Sequence, residues 1–167
     1  MFLSEPSGPD LIGVVRAANA VKLRYVVIGS FGVIAHGYLR ATKDSDLLVP
    51  AVTECDSVVA MFLDRVQASR LRDGEVLAPE ERAADLIRVR TRHGIVELLR
   101  GGLAPLDFDT VAEESIEVEI GDQKARVASL RSIVGFKRFA DRLRDRVDLE
   151  ALERVNGRLP ETKLPVP

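Results

Sequence analysis

Cysteine, tryptophan and long apolar runs are scarce or absent in this sequence of 167 residues. It holds one cysteine, no tryptophan and two histidines. The single thiol, Cys55, excludes an internal disulfide and any metal site built from several cysteines. No apolar run approaches the about 20 residues that a membrane-spanning helix needs, so we expect no membrane partner. Residues 1–6 lack the basic and apolar regions of a secretory signal, which makes the cytoplasm the expected compartment.

A large excess of charge of one sign is lacking as well, because the formal net charge is only −2. The chain as a whole therefore lacks the strongly basic character of many nucleic-acid-binding proteins. The charges are uneven, however: acidic residues dominate positions 97–122 and basic residues dominate positions 124–158. Such a run is most often a solvated face, and the alternative is that it attracts a phosphate-bearing substrate. Under that alternative, Arg142 and Arg144 are the candidate acceptor-binding residues.

The pattern of apolar residues predicts a mixed α/β domain. Hydrophobic residues make up 46% of the chain and charged residues 30%, a balance typical of a folded domain. Helical periodicity predicts helices over 11–22, 31–39, 53–67 and 130–155, the last one broken near Leu143. Short β-branched runs predict strands over 24–28, 45–49, 87–91, 95–99, 116–120 and 124–127.

This order of elements indicates an α/β (α+β) fold, with a small mixed sheet and flanking helices. Asp10 and Thr53 are the predicted N-caps of the first and third helices. We expect a core over 1–128, a C-terminal helical segment over 129–157 packed on that core, and a loose tail over 158–167.

One stretch carries a pattern suited to nucleotide chemistry. A strand runs into Gly29-Ser30 and then into a helix, a junction whose free backbone N–H groups suit a phosphate. After thirteen intervening residues, Asp44 and Asp46 stand two apart on a predicted strand, so both carboxylates share one face. Two such acids repel each other, and Mg²⁺ relieves that repulsion. Either half alone is commonly structural, but together they predict Mg²⁺-assisted nucleotide chemistry.

The same stretch resembles the signature of the polymerase-β-like nucleotidyltransferase superfamily. Its residues 36–46, His-Gly-Tyr-Leu-Arg-Ala-Thr-Lys-Asp-Ser-Asp, are similar to the small bacterial branch that includes the AbiEii-type abortive-infection nucleotidyltransferase toxins. A second block over 137–149, Lys-Arg-Phe-Ala-Asp-Arg-Leu-Arg-Asp-Arg-Val-Asp-Leu, is similar to the late motif of that branch. The two blocks bracket most of the domain, so the resemblance implies a nucleotidyltransferase fold.

The resemblance also implies an activity and a set of site residues. The activity is transfer of a nucleoside monophosphate from an NTP to a hydroxyl acceptor, which is an RNA end, a protein or a small molecule. For a toxin, an antitoxin protein is the implied partner. Gly29 and Ser30 are implied to hold the triphosphate. Asp44, Asp46 and Glu97 are implied to be catalytic and to bind Mg²⁺, with Mn²⁺ as the alternative ion.

Three basic residues have two interpretations each. Lys137 falls on the apolar side of its predicted helix, where it either snorkels to water beside Asp141 or contacts nucleotide phosphate. Arg40 is a clamp for phosphate or for carboxylate, and we count it among the nucleotide-binding candidates. His36 is either catalytic or, more simply, a hydrogen-bonded residue at a helix end.

Four positions depart from the branch pattern. Ser45 replaces a hydrophobic residue, Glu97 stands where Asp is commoner, and Asp141 and Leu143 replace a Gly and a Pro. These departures leave a second function open. The chain is then a catalytically degenerate nucleotidyltransferase fold that serves as a nucleotide-binding or partner-binding module.

Overall fold

The computed structural model describes residues 8–161 of the chain. The helices in this range are α1 (Leu11–Ala20), α2 (Gly29–Ala35), α3 (Asp56–Arg65), α4 (Pro79–Arg82), α5 (Phe108–Glu114), α6 (Leu130–Ala140) and α7 (Leu143–Asn156). The strands are β1 (Val26–Ile28), β2 (Asp44–Val49), β3 (Ser69–Arg70), β4 (Leu86–Thr91), β5 (Gly94–Arg100), β6 (Gly102–Leu103), β7 (Leu106–Asp107), β8 (Ile116–Ile120) and β9 (Gln123–Val127). None of the helices between residues 8 and 161 is both long and apolar enough to cross a bilayer.

A mixed sheet of seven strands organises the molecule, in the order β3-β4-β5-β2-β1-β9-β8. The central strand β2 runs antiparallel to β1 and parallel to β5. The β4–β5 and β8–β9 pairs are antiparallel hairpins, as the sequence predicted. The predicted α/β class and mixed sheet are therefore confirmed. The small elements β3, α4, β6, β7 and α5 were not predicted.

Alternation along the strands divides the core between the two faces of the sheet. Leu47 of β2 and Val96 of β5 pack with α1 and α3 on one face. Leu48, one residue later on β2, packs with α2, α6 and α7 on the other face. Side chains at positions 44 and 46 of β2 share the face of residue 48. This register directs them toward the C-terminal helices.

Helix ends follow the sequence signals at some positions and not at others. The Asp10 side chain caps α1, accepting from the Gly13 N–H at 3.0 Å. Thr53 was predicted as the cap of the third helix, and this was wrong. Residues 53–55 form a 3-10 turn instead, and α3 begins only at Asp56. The predicted break near Leu143 is confirmed, because α6 ends at Ala140 and α7 begins at Leu143.

The C-terminal region is bound more closely to the core than expected. The tail after residue 157 was predicted to be loose, but Leu159 is buried in the apolar cluster that includes Leu152. Arg138 donates to the Pro160 carbonyl oxygen at 2.7 Å, which fixes the backbone there. The remainder of the predicted tail, 162–167, lies outside the described residues. The division of the chain at residue 128 stays a prediction.

Candidate active site

Three carboxylates meet on the face of the sheet that α6 covers. One oxygen each from Asp44, Asp46 and Glu97 lies within 4.8 Å of the other two. The register explains this, since Asp46 and Glu97 are directly opposed in the parallel β2–β5 ladder. Asp44 stands two residues earlier on the same face of β2. The sequence analysis expected these three side chains to converge on one cleft, and they do.

Burial, and after it the proximity of the other two acids, makes Asp46 unusually hard to ionise. The pKa of Asp46 is raised to about 7. Burial is the largest cause, and the negative charges of Asp44 and Glu97 act in the same direction. The positive charges of Lys137 and Arg88 oppose the shift by smaller amounts. Carboxylate oxygens are the ligands that Mg²⁺ prefers in proteins. This donor set and its mutual repulsion fit a divalent cation.

The position of Gly29, at the start of α2, requires a glycine because of its backbone conformation and its closeness to Asp46. Its φ of +66° is left-handed, a conformation that glycine adopts without steric cost. A Cβ at this position would collide with the carboxylate of Asp46. The sequence analysis explained the glycine by the approach of a phosphate. In the structure, Asp46 is itself a sufficient reason.

Ser30 and Arg40 belong to a network of charges beside the carboxylates. The Arg40 guanidinium donates to the Ser30 hydroxyl at 2.9 Å and to the buried Asp148 carboxylate at 2.9 Å. Arg40 therefore clamps a carboxylate of the chain itself, one of its two predicted roles. Its N–H occupies a lone pair of the Ser30 oxygen and leaves the Ser30 O–H able to donate elsewhere.

Lys137 is the centre of that network. Its ammonium lies 3.1 Å from Asp145 and 2.9 Å from Asp148, and the residue is only 6% exposed. The predicted snorkelling lysine beside Asp141 was therefore wrong. Asp141 adopts a left-handed conformation that ends α6, and it pairs with Arg146 at 2.8 Å. The reversal folds α7 back and brings its acids to Lys137.

A cavity of about 270 Å³ joins these parts. Its polar wall holds Gly29, Asp46, Glu97, Lys137 and Arg142. Its apolar wall comes from β2, β5 and α6. Four of the predicted metal and nucleotide residues therefore border one concave space of roughly ligand size, namely Gly29, Asp46, Glu97 and Lys137. The other three, Asp44, Ser30 and Arg40, are not part of its lining.

The two predicted acceptor-binding arginines are separated in the structure. Arg142 lines the cavity beside the carboxylates and donates to Asp145 at 2.7 Å, so it closes the first turn of α7. Arg144 is exposed on α7 and contributes nothing to that wall. The two side chains therefore do not form one surface.

His36 and Ser45 are placed away from the chemistry. His36 ends α2, with its Nε2 atom 2.8 Å from the Ala128 carbonyl oxygen, as predicted for a helix-end histidine. Ser45 is fully buried, and its hydroxyl has no hydrogen-bond partner within residues 8–161. Because it alternates with Asp44 and Asp46, Ser45 faces the opposite side of the sheet. Its departure from the branch pattern therefore does not reach the acids.

Arg88 is the site residue that the sequence analysis missed. Its guanidinium lies 3.3 Å from Asp44 and 3.9 Å from Glu97. It is also the direct cross-strand neighbour of Glu97 in the β4–β5 hairpin. The predicted hairpin contained this signal, because its register places residue 88 beside residue 97. Asp145 and Asp148 stood in the late motif but were given no role.

The fold is that of the nucleotidyltransferases. Neither a protein-family model nor a curated protein matches the sequence significantly. Solved structures do match. The lincosamide antibiotic adenylyltransferase LnuA bound to lincomycin is 17% identical, with a TM-score of 0.62 over 88% of this chain and 96% of that chain. ANT(2")-Ia in complex with adenylyl-2"-tobramycin is 13% identical, with a TM-score of 0.59 over 88% of this chain and 87% of that chain.

A third similar structure is an antigenic nucleotidyltransferase-like protein from Paracoccidioides brasiliensis. It is 15% identical, with a TM-score of 0.56 over 86% of this chain and 72% of that chain. At such identities the likeness is one of fold, which agrees with the fold that the sequence motifs implied.

Proposed function

We propose that the protein is a metal-dependent nucleotidyltransferase that moves a nucleoside monophosphate from an NTP to a hydroxyl group. The observation that carries the proposal is the convergence of Asp44, Asp46 and Glu97 within 4.8 Å, at the start of α2. A shared fold alone would not support it, because one fold hosts many activities. The acids supply the specific chemistry.

The residues divide into two tasks. Asp44, Asp46 and Glu97 would hold Mg²⁺ or Mn²⁺, an ion that neutralises the negative charge on the transferred phosphoryl group. The Gly29 backbone and the Ser30 hydroxyl would hold the triphosphate, with the Ser30 proton directed outward by the bond from Arg40. Lys137 would add positive potential from the cavity wall while it stays paired with Asp145 and Asp148.

The transfer itself is an in-line displacement. The acceptor oxygen forms a bond to the α-phosphorus while the bond from that phosphorus to pyrophosphate breaks. The acceptor proton passes to the Glu97 carboxylate. Positioning and charge stabilisation therefore account for most of the rate enhancement.

Different observations support different acceptors and biological roles for this transfer. The resemblance of residues 36–46 and 137–149 to AbiEii-type toxins supports a toxin with an antitoxin partner. LnuA bound to lincomycin and ANT(2")-Ia in complex with adenylyl-2"-tobramycin combine a similar fold with antibiotics, which supports a small-molecule acceptor. An RNA end and a protein side chain are the other two acceptor classes.

A binding module without catalysis is the second candidate, and Arg88 favours it. The guanidinium that contacts Asp44 and approaches Glu97 supplies positive charge where an ion would sit. Such a pairing balances part of the charge of the acids without metal. NTP binding without turnover would then be the function.

The deciding experiment follows α-labelled NTPs incubated with Mg²⁺ or Mn²⁺, together with cellular RNA, protein and small-molecule fractions. The wild type should label one fraction. Asp46→Asn, which keeps the shape and removes the charge, should lower labelling by about 100-fold or more. Asp109→Asn is the matched control, since the Asp109 side chain is 88% exposed and far from the acids in the fold. NTP binding without any labelled product would favour the binding module.

A further inference from the structure

A second concave region borders the carboxylates from the side opposite the cavity. Arg88 and Arg90 stand two apart on β4 and so share the face of Glu97. Arg92 follows in the turn after β4. The three arginines mark a line that leads along the hairpin to the acids, and its last member, Arg88, contacts Asp44.

The line borders a cleft of about 690 Å³. Its cationic lining is Lys43, Arg90 and Arg92, with His93 beside them. The acid in this lining is Asp10, which already pairs with His93 at 3.0 Å and caps α1. Lys43, Arg90 and Arg92 make no ion pair with any residue between 8 and 161. These cations are therefore available to a ligand.

The strand register fixes the distance from this cleft to the acids. Asp46, Glu97 and Arg88 lie side by side across β2, β5 and β4. Asp44, Ile95 and Arg90 form the next row of the same face. Successive rows on one face are about 6.6 Å apart. The basic cleft therefore begins in the row of Asp44, one row from Asp46 and Glu97.

We infer that this cleft binds the phosphodiester backbone of a single-stranded nucleic acid, whose terminal hydroxyl is the acceptor of the transfer. The inference deepens the proposed function and rests on it. Cations spaced at every second residue of a strand suit successive phosphates of one chain. A strand lying along Arg92 and Arg90 ends at Asp44, which places its terminal hydroxyl beside the acids.

The same charges argue against other acceptors. A cationic antibiotic would be repelled by three cations that no described acid balances. A small neutral molecule has no group that would use them. The cavity on the other side of the acids already provides Gly29, Lys137 and an apolar wall for the nucleotide. The nucleotide is thus assigned to the cavity, and the acceptor strand to the basic cleft.

The basic C-terminal helix is a weaker candidate for this contact. Arg142 is paired with Asp145 at 2.7 Å, and Arg146 with Asp141 at 2.8 Å. Paired arginines offer less net attraction to phosphate. Arg144 is the exposed exception, and it provides the matched control below.

The test measures binding without catalysis. Short single-stranded RNA and DNA oligonucleotides, fluorescently labelled, are titrated with the full chain in anisotropy assays without NTP. The Arg90→Glu/Arg92→Glu variant should weaken binding by at least about tenfold. Loss of two phosphate contacts should reduce the slope of log affinity against log salt by about 1.4, at about 0.7 per contact. Arg144→Glu should bind like wild type, and Arg90→Lys/Arg92→Lys should retain most of the affinity. Comparison of the two oligonucleotides identifies which nucleic acid is preferred.

Separate readouts keep the two proposals distinguishable. Calorimetry with Mg-NTP should show equal affinity for wild type and Arg90→Glu/Arg92→Glu, because the nucleotide cavity is on the other side of the acids. Circular dichroism establishes that the variant is folded. The inference is overturned if wild type does not bind oligonucleotides, if the double variant binds equally, or if polyglutamate binds as tightly. Failure of NTP binding with intact oligonucleotide binding overturns the proposed function instead.

Discussion

The two concave regions that flank the carboxylates differ in how their charges are satisfied. In the cavity under α6, Lys137 and Arg142 are fixed by buried acids. In the cleft beside β4, the exposed Arg90 and Arg92 have no ion-pair partner among residues 8–161. Charges held in place by ion pairs need little reorganisation when a substrate binds. Charges without a partner attract a ligand of opposite charge. The difference indicates that the first region is preorganised and the second acquires its counter-ions from a substrate.

The largest effect should come from breaking the fixed network. Asp148→Ala leaves Lys137 buried with one acid fewer and frees Arg40. Removing one partner of a buried pair costs about 3–5 kcal/mol, so urea unfolding should show a loss of that order. Arg146→Ala, which breaks the exposed pair with Asp141, is the control and should change the unfolding free energy little. Equal losses in the two variants would contradict a special role for the buried network.

The next effect concerns the close contact of Gly29 with Asp46. Gly29→Ala should cost about 2–3 kcal/mol, because it combines left-handed strain with a collision against the carboxylate. Gly74→Ala is matched to it, since Gly74 has φ +74° and no heavy atom within 4 Å of an added Cβ. The control should show only the backbone strain.

A double-mutant cycle isolates the collision within that effect. Asp46→Ala should recover part of the loss in Gly29→Ala, and it should recover nothing in Gly74→Ala. Additive free energies of unfolding across the Gly29–Asp46 cycle would show that strain alone explains the glycine.

The sequence predicted the acids better than it predicted their surroundings. Asp44 and Asp46 are two apart on a strand, and that local spacing alone fixes their common face. Glu97 was placed by resemblance, and the parallel β2–β5 pairing that brings it there is a long-range contact. The partners of Lys137 depended on a chain reversal at Asp141, which local periodicity does not reveal. Tertiary topology decided these contacts.

Two further differences have similar causes. The segment 101–115 contains short strands and α5, which are too brief to leave a periodic signal. The burial of Leu159 depends on contact with Leu152 and the rest of its cluster, although proline-rich composition favours a loose end. The position of Arg88, by contrast, follows from the predicted hairpin alone, because its register pairs residue 88 with residue 97.

A third, smaller effect is the gain in stability that we expect when Asp46 is replaced by Asn. The folded pKa of Asp46, about 7, lies above its ordinary value of 3.8. Its contribution to stability is therefore fully present below about pH 3.8 and is lost as the pH rises through 7. Without divalent ions, Asp46→Asn should be more stable than wild type at pH 8, by on the order of 1–2 kcal/mol.

The pH series and added metal check that gain. The advantage of Asp46→Asn should shrink as the pH falls from 8 toward 5, as thermal unfolding at each pH would report. Mg²⁺ or Mn²⁺ should raise the melting temperature of wild type and leave Asp46→Asn nearly unchanged. An advantage of the variant that grows in acid would contradict the raised pKa.

The smallest effect is expected at the junction between the two regions, where Arg88 contacts Asp44 and approaches Glu97. Its guanidinium and a divalent ion compete for the same oxygens. Arg88→Gln should therefore bind Mn²⁺ a few-fold more tightly, with little change in stability because the residue is half exposed. Arg90→Gln, one row further away, removes the same charge without touching the acids and should leave Mn²⁺ affinity nearly unchanged. Calorimetric titration of the two variants measures the difference directly. Weaker Mn²⁺ binding by Arg88→Gln would show that Arg88 orients the acids for the ion rather than competing with it.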